Sequence, residues 1–218
     1  MIKIYHILPT NDTMGGSRNA AKVSIALREI GEAFEIIDLN RERDLRPSQT
    51  PFKKDINPNG VTPAIDDNGF LLWESSAILR YLADTRAALI SDDLRCRAIA
   101  QQWLAWEAST FQPSFLSYYF AVSSAQEDNT TAAETQYQYK LQILEDALKR
   151  SGGFLAGEYS IADIAVGAIV PIGFHLGIDL RGYPSIVQWL ATLSNRPAWK
   201  SELSFQQDMS AGRSSNLI

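Results

Sequence analysis

Asn68 and Gly69 stand between two short apolar runs, "VTPAI" before them and "FLL" after, in the stretch "VTPAIDDNGFLL". Both residues tolerate a positive φ, which a two-residue hairpin turn demands at both central positions, so this pair predicts an antiparallel hairpin. That one turn constrains the chain strongly, because a helix follows at once: in "ESSAILRYLAD", Ile78, Leu79 and Leu82 share one face. A hairpin feeding a helix needs further strands to bury its apolar face.

Those strands lie upstream. "IKIYHIL" is a β-branched and aromatic run, and "AFEIIDL" is a second one. Between them Ala20, Val23, Ala26, Leu27 and Ile30 recur at helical spacing, and Gly31 follows where a helix C-terminus favours glycine. Strand, helix and strand in that order predict a parallel pair with a crossover helix. A polar loop with three prolines, "NRERDLRPSQTPFKKDINPNG", joins this unit to the hairpin.

Beyond residue 90 the strand signal disappears. Ser91, Asp92 and Asp93 read as a helix start, and Ile99, Trp103, Trp106 and Thr110 continue at helical spacing to Pro113, which is expected to bend the helix. Thr131 and Glu134 have the spacing of a capping box, followed by the stripe Tyr137, Leu141, Leu144 and Leu148. Ser160 and Asp163 form a second such box, and Pro171 is expected to kink or end that helix. The expected architecture is therefore α/β followed by all-α: one domain over residues 1–84 and an all-helical domain over 91–218.

Composition excludes several classes of function. The net charge is −5 and the Lys and Arg residues are scattered, so there is no basic footprint for nucleic acid. No apolar run has the length of a membrane span, and "MIKIYHIL" reads as a first strand rather than a signal peptide. One cysteine, Cys96, and two histidines predict neither a disulfide framework nor a metal site, and the cytoplasm is the expected location.

Two features then call for a ligand. Pro63 interrupts a strand start; a cis Thr62–Pro63 bond turns the chain and directs the backbone of Thr62 outward, where it can pair with an extended peptide. Glu74, Ser75 and Ser76 open a helix at the end of a strand, which is an anion site. Taken singly, Pro63 is also an ordinary edge-strand proline and Ser75 an ordinary cap. A ligand with a peptide middle and a terminal carboxylate satisfies both features together.

The segment "NPNGVTPAIDDNGFLLWESSAILRYLAD" resembles the glutathione-binding half of the cytosolic glutathione transferases, and "GEYSIADIAVGAI" and "YPSIVQWLATLSNRPAW" are similar to helices of that family's second domain. The resemblance implies a thioredoxin-like first domain. Thr62 before the cis-proline Pro63 then pairs with the cysteinyl backbone of glutathione, and Glu74 with Ser75 holds its γ-glutamyl group. Val61 occupies the position where relatives often carry a basic or amide residue. Lys53, ahead of Lys54 and Arg46, is the candidate cation for the glycyl carboxylate.

The reaction implied is attack of the glutathione thiolate on an apolar electrophile. A free thiol titrates near about pH 8.5, and lowering that by about two units takes roughly 2.7 kcal/mol, the size of one charge-assisted hydrogen bond at a helix N-terminus. By the resemblance, Ser17 is the donor, in a run similar to the S-x-N-x-x-K-V of bacterial and fungal relatives, with Asn19 a second contact and Arg18 a third. The segment "PTNDTMGG" before it is longer than the family's usual connection and leaves Thr10 and Thr13 as competing donors. Trp106, Phe111, Phe115, Tyr118 and Tyr119 are the expected walls of the electrophile pocket, with Phe111 and Tyr118 foremost. The resemblance also implies a homodimer. Two alternatives accompany the transferase reading: a glutathione-dependent disulfide reductase, dehalogenase or ether-cleaving enzyme, and a non-catalytic glutathione-binding module.

Overall fold

The computed structural model describes residues 1–8, 18–124 and 127–202. The chain divides into two compact units, Met1–Leu89 with Asn195–Ile218, and Ile90–Ser194. The described C-terminal residues from Asn195 onward thus group with the first unit, although they follow the helices in sequence.

In the first unit β1 (Ile2–His6), α1 (Arg18–Ile30), β2 (Phe34–Asp38), α2 (Pro51–Asp55), β3 (Ala64–Asp67), β4 (Phe70–Trp73) and α3 (Ser75–Arg86) follow one another. The sheet order is β2-β1-β3-β4. β1 and β2 run parallel with Ile4 opposite Ile36, as a crossover helix requires. β3 returns antiparallel to β1, and β4 antiparallel to β3. Alternation on β1 buries Ile2, Ile4 and His6 and exposes Lys3. Every residue of α1 from Ala20 to Leu27 is buried, so this helix is covered all round. Gly31, at φ 77°, closes it as the Glu32 N–H reaches back to the Leu27 carbonyl at 2.9 Å.

The hairpin is the one the turn residues predict. Asn68 and Gly69 have φ of 54° and 94°, and the Gly69 N–H donates to Asp66 Oδ1 at 2.6 Å. Asp67 ties it to α3 by accepting from the Tyr81 hydroxyl at 2.8 Å and Arg86 Nη2 at 2.9 Å. Burial pushes the Asp67 carboxyl up, but these bonds prevail and hold it below the usual carboxylate range.

The second unit is helical: α4 (Leu94–Trp106), α5 (Gln112–Ser123), α6 (Glu127–Ser151), α7 (Ile161–Gly167), α8 (Val170–His175) and α9 (Pro184–Ser194). Asp93 caps α4 through the N–H groups of Arg95 and Cys96, both at 2.9 Å. A π-helical turn, Glu107–Phe111, joins α4 to α5 without a break, and Pro113 follows directly on this widened turn. Thr131 and Glu134 do not start a helix. α6 begins earlier, at Glu127, and Glu134 instead accepts from Gln138 one turn on, at 3.0 Å. The stripe Tyr137, Leu141, Leu144 and Leu148 is buried as its spacing predicts. Among the described residues no helix is long and apolar enough to cross a membrane.

The Ser160–Asp163 capping box is present and reaches further than a cap. Asp163, fully buried, accepts from Ser160 N–H at 3.0 Å, Leu155 N–H at 3.0 Å and Trp189 Nε1 at 2.9 Å, so it joins α7, the preceding loop and α9. Burial pushes its carboxyl up to about 6, against the pull of these donors. The folded value lies above the unfolded one, so its contribution to stability is fully present below about pH 4 and is lost as the pH rises through about 6. Asp163→Asn places an NH₂ against fixed donors and is expected to cost about 2–4 kcal/mol near pH 5, shrinking by about 1 kcal/mol toward pH 7 as the wild type loses this contribution. Urea unfolding of both proteins at the two pH values measures this, and a penalty that grows with pH contradicts it.

Candidate functional site

The strand register gathers the sequence candidates of the first unit at one edge of the sheet. Tyr5 pairs with Ala64, and Ala64 pairs with Trp73. Just beyond that row, β1 ends, Thr62 and Pro63 enter β3, and Glu74 and Ser75 leave β4. The N-terminus of α1 returns to the same edge because the helix follows the C-terminal end of β1.

Thr62–Pro63 is a cis peptide, as expected from the sequence. Pro63 is buried, Thr62 partly so, and Val61 is half exposed. The loop before them is pinned by Asn57, which is fully buried: its Nδ2 donates to the Val61 carbonyl at 2.8 Å and its Oδ1 accepts from Asn59 N–H at 3.0 Å. Gly60 has φ 64°, and a Cβ there would lie 2.2 Å from Lys53 Cε. The stem of Lys53 therefore lies directly on Gly60, beside Val61, with its ammonium donating to the Arg46 carbonyl at 3.4 Å. Lys54 is exposed, and Arg46 pairs with Glu42 at 2.7 Å. Of the three candidate cations, Lys53 is the one held at the loop.

Glu74 adopts φ 71° and ψ 114°, a conformation that costs a non-glycine residue about 1–3 kcal/mol. It occupies the cap position of α3 without a side-chain cap bond, and Ser75, buried, is the first helical residue. Ser75 is thus not the cap. The first N–H groups of α3, which have no intrahelical partner, and the exposed Glu74 carboxylate stand together at the corner. An anion suits the former and a cation the latter.

At the start of α1, Asn19 Oδ1 accepts from Lys22 Nζ at 2.7 Å. Arg18 is partly buried, and burial, opposed by the nearby Glu202 carboxylate, lowers its guanidinium from the ordinary arginine value. Glu202 itself is buried and accepts from Ser24 Oγ at 2.6 Å and from Arg28 Nη1. Arg196 makes a two-pronged pair with Glu29, both contacts at 2.7 Å. The C-terminal residues therefore fasten α1 from behind. Ser17, Thr10 and Thr13 lie outside the described residues.

Competing nucleophiles and donors are poorly placed. Tyr5 packs on Phe52 with ring centroids 5.8 Å apart, and burial together with Asp66 and Glu35 raises its phenol. Burial and Asp93 raise the Cys96 thiol, the wrong direction for a reactive thiolate. Among the described residues no cluster of three His, Cys, Asp or Glu side chains is set to hold a metal.

Within the helical unit, Phe111, Phe115 and Tyr118 are buried around Tyr137, with centroids 5.5, 5.8 and 5.9 Å from its ring, and the Tyr118 hydroxyl donates to the Leu176 carbonyl at 2.9 Å. These three rings fill the core, the commoner role of an aromatic stripe. Trp106 and Tyr119 are only partly buried.

Sequence reasoning missed Asn57 and Glu202, and it held Lys22 only as the lysine of the S-x-N-x-x-K-V run, with no role of its own. Asn57 was hidden inside a turn signal, "NPNG". Lys22 left a trace, a charge within the apolar run "AAKVSIAL". Glu202 left none, since its partners lie more than 170 residues away.

Comparison with known proteins agrees with this architecture. Residues 16–85 match the glutathione S-transferase N-terminal domain and residues 108–197 the glutathione S-transferase C-terminal domain. The chain is 33% identical over 193 residues to the disulfide-bond oxidoreductase YfcG of Escherichia coli (strain K12), covering 83% of this chain and 87% of that protein. It is 27% identical over 191 residues to glutathione S-transferase GstB of the same strain, covering 84% and 91%. A glutathione transferase from Pseudomonas putida, crystallised with one glutathione disulfide per subunit, superposes with a TM-score of 0.80 at 30% identity over 93% of this chain and 90% of that one. By both of its halves and by its fold, the chain belongs to the glutathione S-transferase family.

Proposed function

We propose that this glutathione S-transferase binds glutathione along the edge formed by Thr62, Pro63, Glu74 and Ser75 and directs its thiolate at an apolar electrophile. The observation that carries the reading is the corner at Glu74: a strained backbone that leaves the α3 N-terminus without a side-chain cap, one step beyond the Ala64–Trp73 pair and so beside Thr62. The γ-glutamyl carboxylate takes the α3 N–H groups and the Ser75 hydroxyl, and the γ-glutamyl ammonium takes the Glu74 carboxylate. The Thr62 backbone pairs with the cysteinyl residue. Lys53, beside Val61, attracts the glycyl carboxylate.

The thiolate is held by the Ser17 hydroxyl with Asn19 as second donor and Arg18 adding positive charge at the start of α1. With Phe111, Phe115 and Tyr118 taken into the core of the helical unit, Trp106 and Tyr119 are the remaining aromatic candidates for contact with an apolar electrophile. The enzyme works as a cytoplasmic homodimer. A second reading has support of its own: YfcG is a disulfide-bond oxidoreductase, and the P. putida protein holds glutathione disulfide. With Cys96 raised, such chemistry runs through glutathione alone: two glutathione thiols are oxidised to one glutathione disulfide while a substrate disulfide is reduced to two thiols.

Titration with glutathione by tryptophan fluorescence, followed by turnover of a chloronitroaromatic and of a small mixed disulfide, separates the two readings. Thioether formation supports transfer, disulfide reduction alone supports the second reading, and no binding at millimolar glutathione rejects both. Ser17→Ala is expected to raise the bound thiol pKa by about 1–2 units and to lower kcat/KM at least about tenfold, with glutathione Kd nearly unchanged. An unaltered thiol pKa removes Ser17 from the mechanism. Glu74→Gly relieves the backbone, so its melting temperature should hold while glutathione Kd rises roughly tenfold or more; a loss of stability with intact affinity would count against the assignment. Lys53→Ala should weaken glutathione several-fold yet leave γ-glutamylcysteine, which lacks the glycyl residue, unaffected. Equal loss for both ligands would place Lys53 elsewhere.

A further inference from the structure

Lys22 is fully buried on α1, in a segment where every residue from Ala20 to Leu27 is buried. Burial of an ammonium is costly, and an apolar side chain would suit the helix better, so the charge has a use. Its Nζ lies 2.7 Å from Asn19 Oδ1, one turn back on the same face. An ammonium donates only, so the Asn19 atom facing it is the amide oxygen. The amide is planar, and its NH₂ group accordingly points away from Lys22.

The geometry points to Lys22 as a positioning residue for the glutathione thiolate, acting through the orientation of Asn19. The inference rests on the glutathione-dependent reading above. With its oxygen held by Lys22, Asn19 offers N–H donors to the sulfur. Without Lys22 the amide can turn over, and an oxygen facing a thiolate repels it. The ammonium also polarises the amide through their shared hydrogen bond and strengthens its N–H groups as donors. Orientation and polarisation act in the same direction, toward a lower thiol pKa.

A double-mutant cycle tests this. Lys22→Met, Asn19→Ala and the double variant are compared by the thiolate absorbance of bound glutathione as a function of pH, by kcat/KM and by thermal melting. The melting temperature of Lys22→Met reports separately what the buried ammonium contributes to the fold through all of its contacts. The bound thiol pKa of this variant should rise by about one unit, with about tenfold lower kcat/KM below that pKa. In the Asn19→Ala background the same substitution should change neither quantity.

An unchanged thiol pKa in Lys22→Met, or an equal shift in the Asn19→Ala background, overturns the inference while leaving glutathione-dependent transfer intact. Should Lys22→Met fail to fold, Lys22→Gln carries the cycle: its amide can still donate to Asn19, and its effect on thiol pKa must vanish without Asn19. Failure of the wild type to bind glutathione overturns both this inference and the reading on which it rests.

Discussion

The pairing of Tyr5 with Ala64 and of Ala64 with Trp73 sets everything that follows at the candidate site. Side chains on a strand alternate between faces, so a slip of one residue would turn Ile65 toward solvent and move Thr62 away from Glu74. The register is held from both ends. At the turn, Asn68 and Gly69 fix the hairpin, and Asp67 binds it to Tyr81 and Arg86 on α3. At the other end, Asn57 holds the carbonyl of Val61 and thereby sets where the chain enters β3. No residue between these anchors is free to choose its neighbour.

Much of this was legible in the residues themselves, because the devices are local. A two-residue turn, a proline at a strand start and a serine–aspartate capping box each act within a few positions, and each is found as read. The sequence reading went astray where several positions satisfied one rule. Thr131 and Glu134 have capping-box spacing, but α6 continues upstream of them to Glu127. Phe111 and Tyr118 have the character of pocket walls and of core equally, and Tyr137, a heptad stripe residue on another helix, draws them inward. Position along one helix cannot reveal what the neighbouring helix presents.

Buried charge is the other part that sequence conceals. Glu202, Lys22 and Asp163 would each be placed at the surface by residue type, yet each is buried and each joins elements distant in sequence or fixes a side chain at the site. A buried ion requires several partners in fixed directions, whereas an apolar contact tolerates sliding. Arg28 and Ser24 meeting Glu202, together with Arg196 meeting Glu29, give α1 a fixed rotation about its own axis. That rotation determines which way the first turn of the helix, with Arg18 and Asn19, confronts a ligand.

Gly60 shows how an absent atom can do the work of a contact. Its hydrogen is the surface on which the Lys53 stem rests, and its positive φ is compatible with few other residues. The two constraints on this position differ in kind. The end of the Lys53 side chain is flexible and could swing aside for a Cβ, whereas the carbonyl of Leu45, 3.1 Å from that Cβ, and the backbone φ could not. What fixes glycine at 60 is therefore the backbone, and the lysine takes advantage of a smooth surface that the turn needs in any case.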